Sequence, residues 1–337
     1  MDRTEECREA RAPGLPIGEP DDRRSGKGRS RTGRRAFRVR ALAWSAAALA
    51  LVAGPPLARP AQEPAGPVVK LSYRALQPGE PVMVTLTSAG SARSATVTFL
   101  GLSTTLTTSA GSLSAFAFLG IDVGVEPGSY PMVIRIEKTS GEIEEIRRDI
   151  EVAPKDFPFT KLRFKPEYVT PPPELRERIR RESELVAWVT SVVTPSWLGD
   201  GPFVMPHPAP TWANFGQRRL NNEVLQSVHT GLDIRVPFGD PIRAANAGRV
   251  AMASNLFLGG KTVIIDHGRG VFSTYGHLSA LKVKRGEMVA KGQVVGSCGS
   301  TGRSTGPHLH WTVRIFDARV DPEAMLLLPL ETPERGS

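Results

Sequence analysis

The chain has 337 residues but only two cysteines, Cys7 and Cys298. Cys7 falls in a segment expected to be removed or left without a core, so Cys298 stands alone. That excludes an intramolecular disulfide framework. No apolar run reaches the ~20 residues of a membrane-spanning helix; the longest, residues 41–53, holds about a dozen. Excess charge is also scarce where it would matter. Residues 1–58 carry 12 basic and 7 acidic side chains, and the remaining 31 basic and 27 acidic residues leave +4 of the total +9. With no recognition motif present, nucleic acid is not an expected partner. A mild positive surface suits an anionic polymer or plain solubility. Residues 68–152 contain no histidine and can supply no imidazole to a site.

The N-terminal 40 residues are charged and rich in Arg, Gly and Pro, and are expected to be disordered. The basic flank and short apolar run that follow, through residue 58, read as an export signal. Arg34 and Arg35 before Ala36 and Phe37 resemble a twin-arginine signal, and a Sec-type signal fits equally. Left uncleaved, this segment would act as a membrane anchor. Residues 59–67 form a Pro/Ala linker. Short alternating runs at 82–87, 95–99, 115–119 and 130–136, separated by Gly, Ser and Pro, predict an immunoglobulin-like β-sandwich over 68–153. It is an accessory domain that would position or shield the rest, or meet a regulatory protein.

Residues 154–194 read as a Pro-rich connector and then a helix from Glu174 to Val189. Its apolar positions are Leu175, Ile179, Leu185, Val186 and Trp188, and its Glu/Arg face is solvated. Residues 195–328 alternate strands with Gly-rich turns and show no long helical period. A hairpin is expected over 289–296, and the polar stretch 221–228 reads as a loop near substrate. Residues 329–337 are a tail. The chain is thus predicted to be mainly β.

The histidines concentrate the chemistry. His308 and His310 are one residue apart in a strand-like run, so they face the same side, ~6.6 Å apart. His229 and Asp233 stand four apart, and His277 lies in a third strand. Two histidines and one aspartate make a three-ligand site with an open fourth position, the arrangement of catalytic zinc.

Around these residues runs a frame: Phe215, Gly216, Arg218 and Arg219; the run 263–268; Tyr275 to Leu278; and Gly299 to His310. Over roughly residues 200–323 this resembles the M23 (lysostaphin/LytM-type) zinc metallopeptidases, which cleave peptide bonds in bacterial peptidoglycan. The resemblance implies an antiparallel sheet with the metal in a groove between loops. It implies one Zn2+ per chain on His229, Asp233 and His310, with His308 and His277 as catalytic residues. His308 is the candidate general base, and His277 would bond the developing oxyanion or share the base role. Tyr275 is expected to be a packed strand residue, with a hydroxyl that could instead assist the oxyanion; Cys298 is expected to be a packing residue and His267 structural. Arg218 and Arg219 suit an ion pair or a substrate carboxylate. His207 has no evident partner. The implied product is an exported zinc endopeptidase of the periplasm or cell envelope. The competing reading is a non-catalytic or autoinhibited LytM-type regulator of other wall hydrolases, its groove covered by the connector or helix.

Overall fold

The computed structural model describes residues 66–87, 92–108 and 114–330. The expected basic N-region, export segment, Cys7 and residues 331–337 lie outside the described residues.

Seven antiparallel strands come first: β1 (Val68–Ser72), β2 (Pro81–Thr87), β3 (Ala92–Phe99), β4 (Leu102–Thr108), β5 (Ser114–Gly120), β6 (Gly128–Lys138) and β7 (Ile143–Val152). Their lateral order is β1-β2-β5-β4-β3-β6-β7. β4 pairs with β3 over Leu102 to Leu106 but with β5 only at Thr107 and Thr108. The two halves share one core, in which Val84 and Leu119 pack with Val97 and Ile134.

β5 has both faces covered. Its period of two sends Ala117 and Leu119 into that core, and Phe116 and Phe118 into the core of the following sheet. A near-continuous apolar strand is the signature of such double burial. Met83, Phe116 and Phe118 pack in one cluster with Leu232, Tyr275 and Trp311. At the rim, Arg319 grips both oxygens of Asp122 at 2.7 and 2.8 Å. Arg74 bridges Glu80 and Asp321.

The connector is partly ordered into β8 (Phe159–Leu162), and α1 (Pro173–Ser191) follows, with proline in its first turn. Val186 and Val189 pack on Met252, Ile264 and Phe272. Leu185 and Trp188, two of its apolar positions, are 42% and 55% exposed. The helix touches its support along a narrower stripe than its apolar content suggests. Its Arg–Glu pairs face solvent as expected.

The remainder holds β9 (Arg218–Asn221), β10 (Leu225–Val228), β11 (Leu232–Ile234), β12 (Pro241–Arg243), β13 (Gly248–Leu256) and β14 (Gly260–Asp266). After these come β15 (Val271–Leu278), β16 (Ala280–Leu281), β17 (Met288–Val289), β18 (Val294–Ser297), β19 (Leu309–Ile315), β20 (Ala318–Val320) and the short α2 (Pro322–Met325). The main sheet runs β11-β19-β15-β14-β13-β17, with β20 also on β19. A small sheet runs β12-β18-β16, and β8 lies parallel to β9 in a third, β10-β9-β8. The chain is mainly β, as its pattern predicts.

Two details differ from expectation. Residues 289–296 are not a hairpin: β17 joins β13, while β18 joins β12 and β16. The turn at Lys291 and Gly292 closes, but Gly292 and Gln293 bond the backbone of Ala244 and carry the chain to another sheet. Residues 221–228 are largely a hairpin, β9 to β10, turning at residues 222–224.

His267 is fully buried between β14 and β15, with Nδ1 donating to the Ala247 carbonyl at 2.7 Å and Nε2 2.7 Å from Ser273 Oγ. Burial lowers its pKa from 6.5 to about 4. The sign follows from linkage. Above pH 6.5 both folded and unfolded chains hold it neutral. Between 6.5 and 4 only the unfolded chain takes the proton, so stability falls with pH, by on the order of 3 kcal/mol at the lower end. His267→Gln is expected to flatten part of the loss in unfolding free energy between pH 7 and 4.5, read by denaturant titration. An unchanged slope would contradict this account of His267.

Candidate metal centre

The site begins with register. β11 pairs with β19 so that Asp233 stands opposite His310 and Leu232 opposite Trp311. Alternation then puts Leu232, Trp311 and Leu309 in the core and Asp233 and His310 on the open face. Gly231 lets the chain approach: a Cβ there would stand 2.6 Å from His310 Cε1 and 2.8 Å from the Trp311 carbonyl oxygen. His229, just before it, is buried and turned to the same point.

Three donor atoms converge. His310 Nδ1 lies 2.8 Å from Asp233 Oδ1, His229 Nε2 lies 3.1 Å from that oxygen, and the two nitrogens are 3.0 Å apart. His229 Nδ1 faces the Asn214 carbonyl at 2.9 Å. A carbonyl only accepts, so Nδ1 carries the proton and Nε2 presents a lone pair. A lone pair, a carboxylate oxygen and a second imidazole nitrogen repel one another unless a cation or proton stands between them. Donors about 2.0–2.1 Å from a tetrahedral zinc are about 3.3 Å apart, so this triangle accepts the ion with a small expansion. The side chains present therefore fit the metal.

Electrostatics agree. Burial alone would raise the Asp233 pKa, but the facing His229 and His310 rings, when they carry a proton toward Oδ1, outweigh it and hold the carboxyl far below its usual range. Asp233 Oδ2 also accepts from Asn214 Nδ2 at 2.9 Å and from Arg219 at 3.1 Å. Burial lowers the His229 pKa to about 4, favouring the neutral, ligating form.

The other two histidines close the cluster. His308 precedes β19, held by a bridge to Gly299. Its Nδ1 faces the Gly306 carbonyl at 2.8 Å, and its Nε2 is 3.7 Å from Asp233 Oδ1. His277 needs a device. Gly276, not His277, stands opposite His310, so strict alternation would turn His277 toward the core with Tyr275. A bulge intervenes: pairing with β14 jumps from Lys261↔Leu278 to Val263↔Tyr275, and His277 takes φ 61°. Its ring thereby lies 4.9 Å from that of His308 and 5.7 Å from that of His310. Its Nδ1 faces the Thr301 carbonyl at 2.8 Å. Burial, then the His310 and His308 charges, lower its pKa to about 3. Burial lowers that of His308 as well. Both rings are neutral near pH 7, with Nε2 free to accept a proton.

All five predicted residues thus line one open cavity of about 470 Å³. No described residue of 68–153 lines it, whereas the connector contributes Thr160, Leu162 and Phe164. Tyr275 Oη points away, accepting from Ala245 N at 2.7 Å inside the core. Cys298 is buried, and burial raises its pKa to about 11. Arg219 makes the ion pair expected of it. His207 has partners after all, its Nδ1 accepting from Ala209 N and its Nε2 3.6 Å from Asp240.

Sequence reasoning missed Asn214. It orients His229 through its carbonyl, donates to Asp233 Oδ2, and accepts from Asp233 N at 3.1 Å through Oδ1. Partners of this kind carry part of a metal's affinity. Asn214→Ala is expected to weaken zinc binding about 10- to 100-fold, measured by competition with a chelating dye. Unchanged affinity would show that Asn214 serves folding alone.

Comparison with known proteins adds a lineage to this geometry. The sequence model of peptidase family M23 matches residues 227–322. The peptidoglycan DD-endopeptidase ShyA of Vibrio cholerae is 41% identical over 100 residues, covering 29% of this chain and 23% of that protein. The DD-carboxypeptidase/endopeptidase Mpg of Neisseria meningitidis is 43% identical over 107 residues, covering 32% and 24%. The chain spans about a quarter of the length of these curated relatives. A solved structure assigned to peptidase M23, from Pseudomonas aeruginosa, superposes with a TM-score of 0.59 at 31% identity. That match covers 75% of this chain and 96% of the other. With fold and sequence matching along nearly the whole of that protein, the chain belongs to peptidase family M23.

Proposed function

We propose that the protein is an exported zinc-dependent endopeptidase that hydrolyses peptide bonds of bacterial peptidoglycan in the cell envelope. The observation that carries this reading is the convergence of three lone-pair donors beneath an open cleft, with two further neutral histidines beside them. His229, Asp233 and His310 would hold one zinc ion. Zinc there supplies a Lewis acid that polarises a carbonyl and makes a water more acidic.

The protein's own groups handle the protons. His308 Nε2, fixed as an acceptor by the bond from Nδ1 to Gly306, takes the proton of the attacking water. The same nitrogen then delivers it to the leaving amine. His277 Nδ1–H is spent on Thr301, so its Nε2 serves as a second base, and it donates to a developing oxyanion only as imidazolium. Asn214 and Arg219 hold Asp233 still while this happens. Trp212, whose ring lies 5.8 Å from that of His308, walls the cleft.

In this reading residues 68–153 are an accessory domain that buttresses the peptidase part over 195–328 directly, through β5 and the Arg74 and Arg319 ion pairs, with residues 154–194 as the connector. The name of the relative ShyA points to peptidoglycan as substrate, and an enzyme acting on a wall polymer would work in the envelope. An open cleft and five retained positions favour catalysis over a regulator that has lost its chemistry.

His308→Ala is expected to keep its zinc and lose about 10²–10⁴-fold in rate. The readout is peptide release from purified peptidoglycan by mass spectrometry, and the masses name the bond. A zinc-loaded wild type that releases nothing would return the regulator reading to the front.

A further inference from the structure

Two guanidinium groups line the metal cleft, and their surroundings differ. Arg219 is committed, donating to Asp233 Oδ2 and to Gln217 Oε1, each at 3.1 Å. Arg303 is half-buried, and its side chain has no carboxylate or other hydrogen-bond acceptor among the described residues. Burial and the like charge of Arg219 lower its pKa, and no anion opposes them. Desolvating a guanidinium without a counter-ion is unfavourable, and a loop arginine ordinarily swings into water.

Arg303 is kept from doing so. Its backbone N–H bonds the Leu258 carbonyl at 2.9 Å, and its planar group lies 5.6 Å from the Phe164 ring centre. Phe164 is itself clamped: Asn222 accepts from its N–H at 2.8 Å and donates to its carbonyl at 2.9 Å. The connector thus holds an unpaired cation at the cleft. Among the described residues Asp233 is the one carboxylate lining the cavity, and two histidines, Asn214 and Arg219 already occupy it.

We propose that Arg303 binds a free carboxylate of the substrate peptide and so sets which peptides are cut. The inference rests on the peptidase reading of the cleft. Arginine's fork matches a carboxylate through two parallel bonds, and wall peptides carry free carboxylates that can be amidated. Amidation removes the charge while keeping the shape. Arg303 therefore distinguishes acid from amide, with Phe164 as its positioning residue.

The test uses two wall peptides that differ only in a free or amidated carboxylate. Wild type is expected to favour the acid by about 10- to 100-fold in kcat/KM, mostly through KM. Arg303→Gln should bring that ratio near one, and Arg303→Lys should retain part of it. A wild type without acid preference, or an Arg303→Gln protein that keeps the preference, overturns the proposal. Should Arg303→Gln fail to fold, the wild-type ratio and the lysine variant decide. Calorimetric binding of both peptides to zinc-loaded His308→Ala protein separates the two readings. Acid-selective binding without turnover in wild type sinks the peptidase reading alone. Turnover without selectivity sinks the Arg303 site alone.

Discussion

Asp233 and His310 face each other across the antiparallel pair β11 and β19, and everything at the cleft depends on that register. A one-residue slip of β11 would exchange Asp233 with Leu232, and one of β19 would exchange His310 with Trp311. Such slips would bury a carboxylate and an imidazole and expose the largest side chain of the core. The hydrophobic pattern of β19, buried at Leu309, Trp311, Val313 and Ile315, is what forbids the slip. The candidate metal ligands are placed by the apolar residues between them.

The surrounding architecture keeps that sheet from moving. β5 is buried on both faces and ties the first sheet to the second, while Arg319 and Arg74 fasten the rim. The connector then passes along the cleft and becomes part of its wall. Carbonyl oxygens of Asn214, and of Thr301 and Gly306 in the loop before β19, each fix one histidine tautomer. Order among the histidine rings is thus set by backbone carbonyls.

Much of this was legible because strand periodicity is short-range. The spacing of His229 and Asp233, and of His308 and His310, needs only local geometry to read. Strands with strong alternation, such as 130–136, were equally plain. β4, rich in threonine, and β7, rich in charge, were not, because their partners rather than their composition make them strands. His277 reached the cleft by a bulge and a left-handed φ that strict alternation would forbid. Asn214 acts largely through its backbone carbonyl, which carries no sequence signature. Arg303 stands in the glycine-rich frame before His308, but its lack of a counter-ion exists only in three dimensions. Residues 289–296 misled for a related reason: a real turn there serves two different sheets.

The most direct test of the account is the metal itself. Zinc content of the full chain would be measured beside peptide release from purified peptidoglycan, before chelation, after it, and after adding zinc back. The account predicts one zinc per chain, cleavage that stops on chelation, and recovery with one equivalent of zinc. Cleavage that persists in metal-free protein, or a chain that binds no zinc, would contradict it.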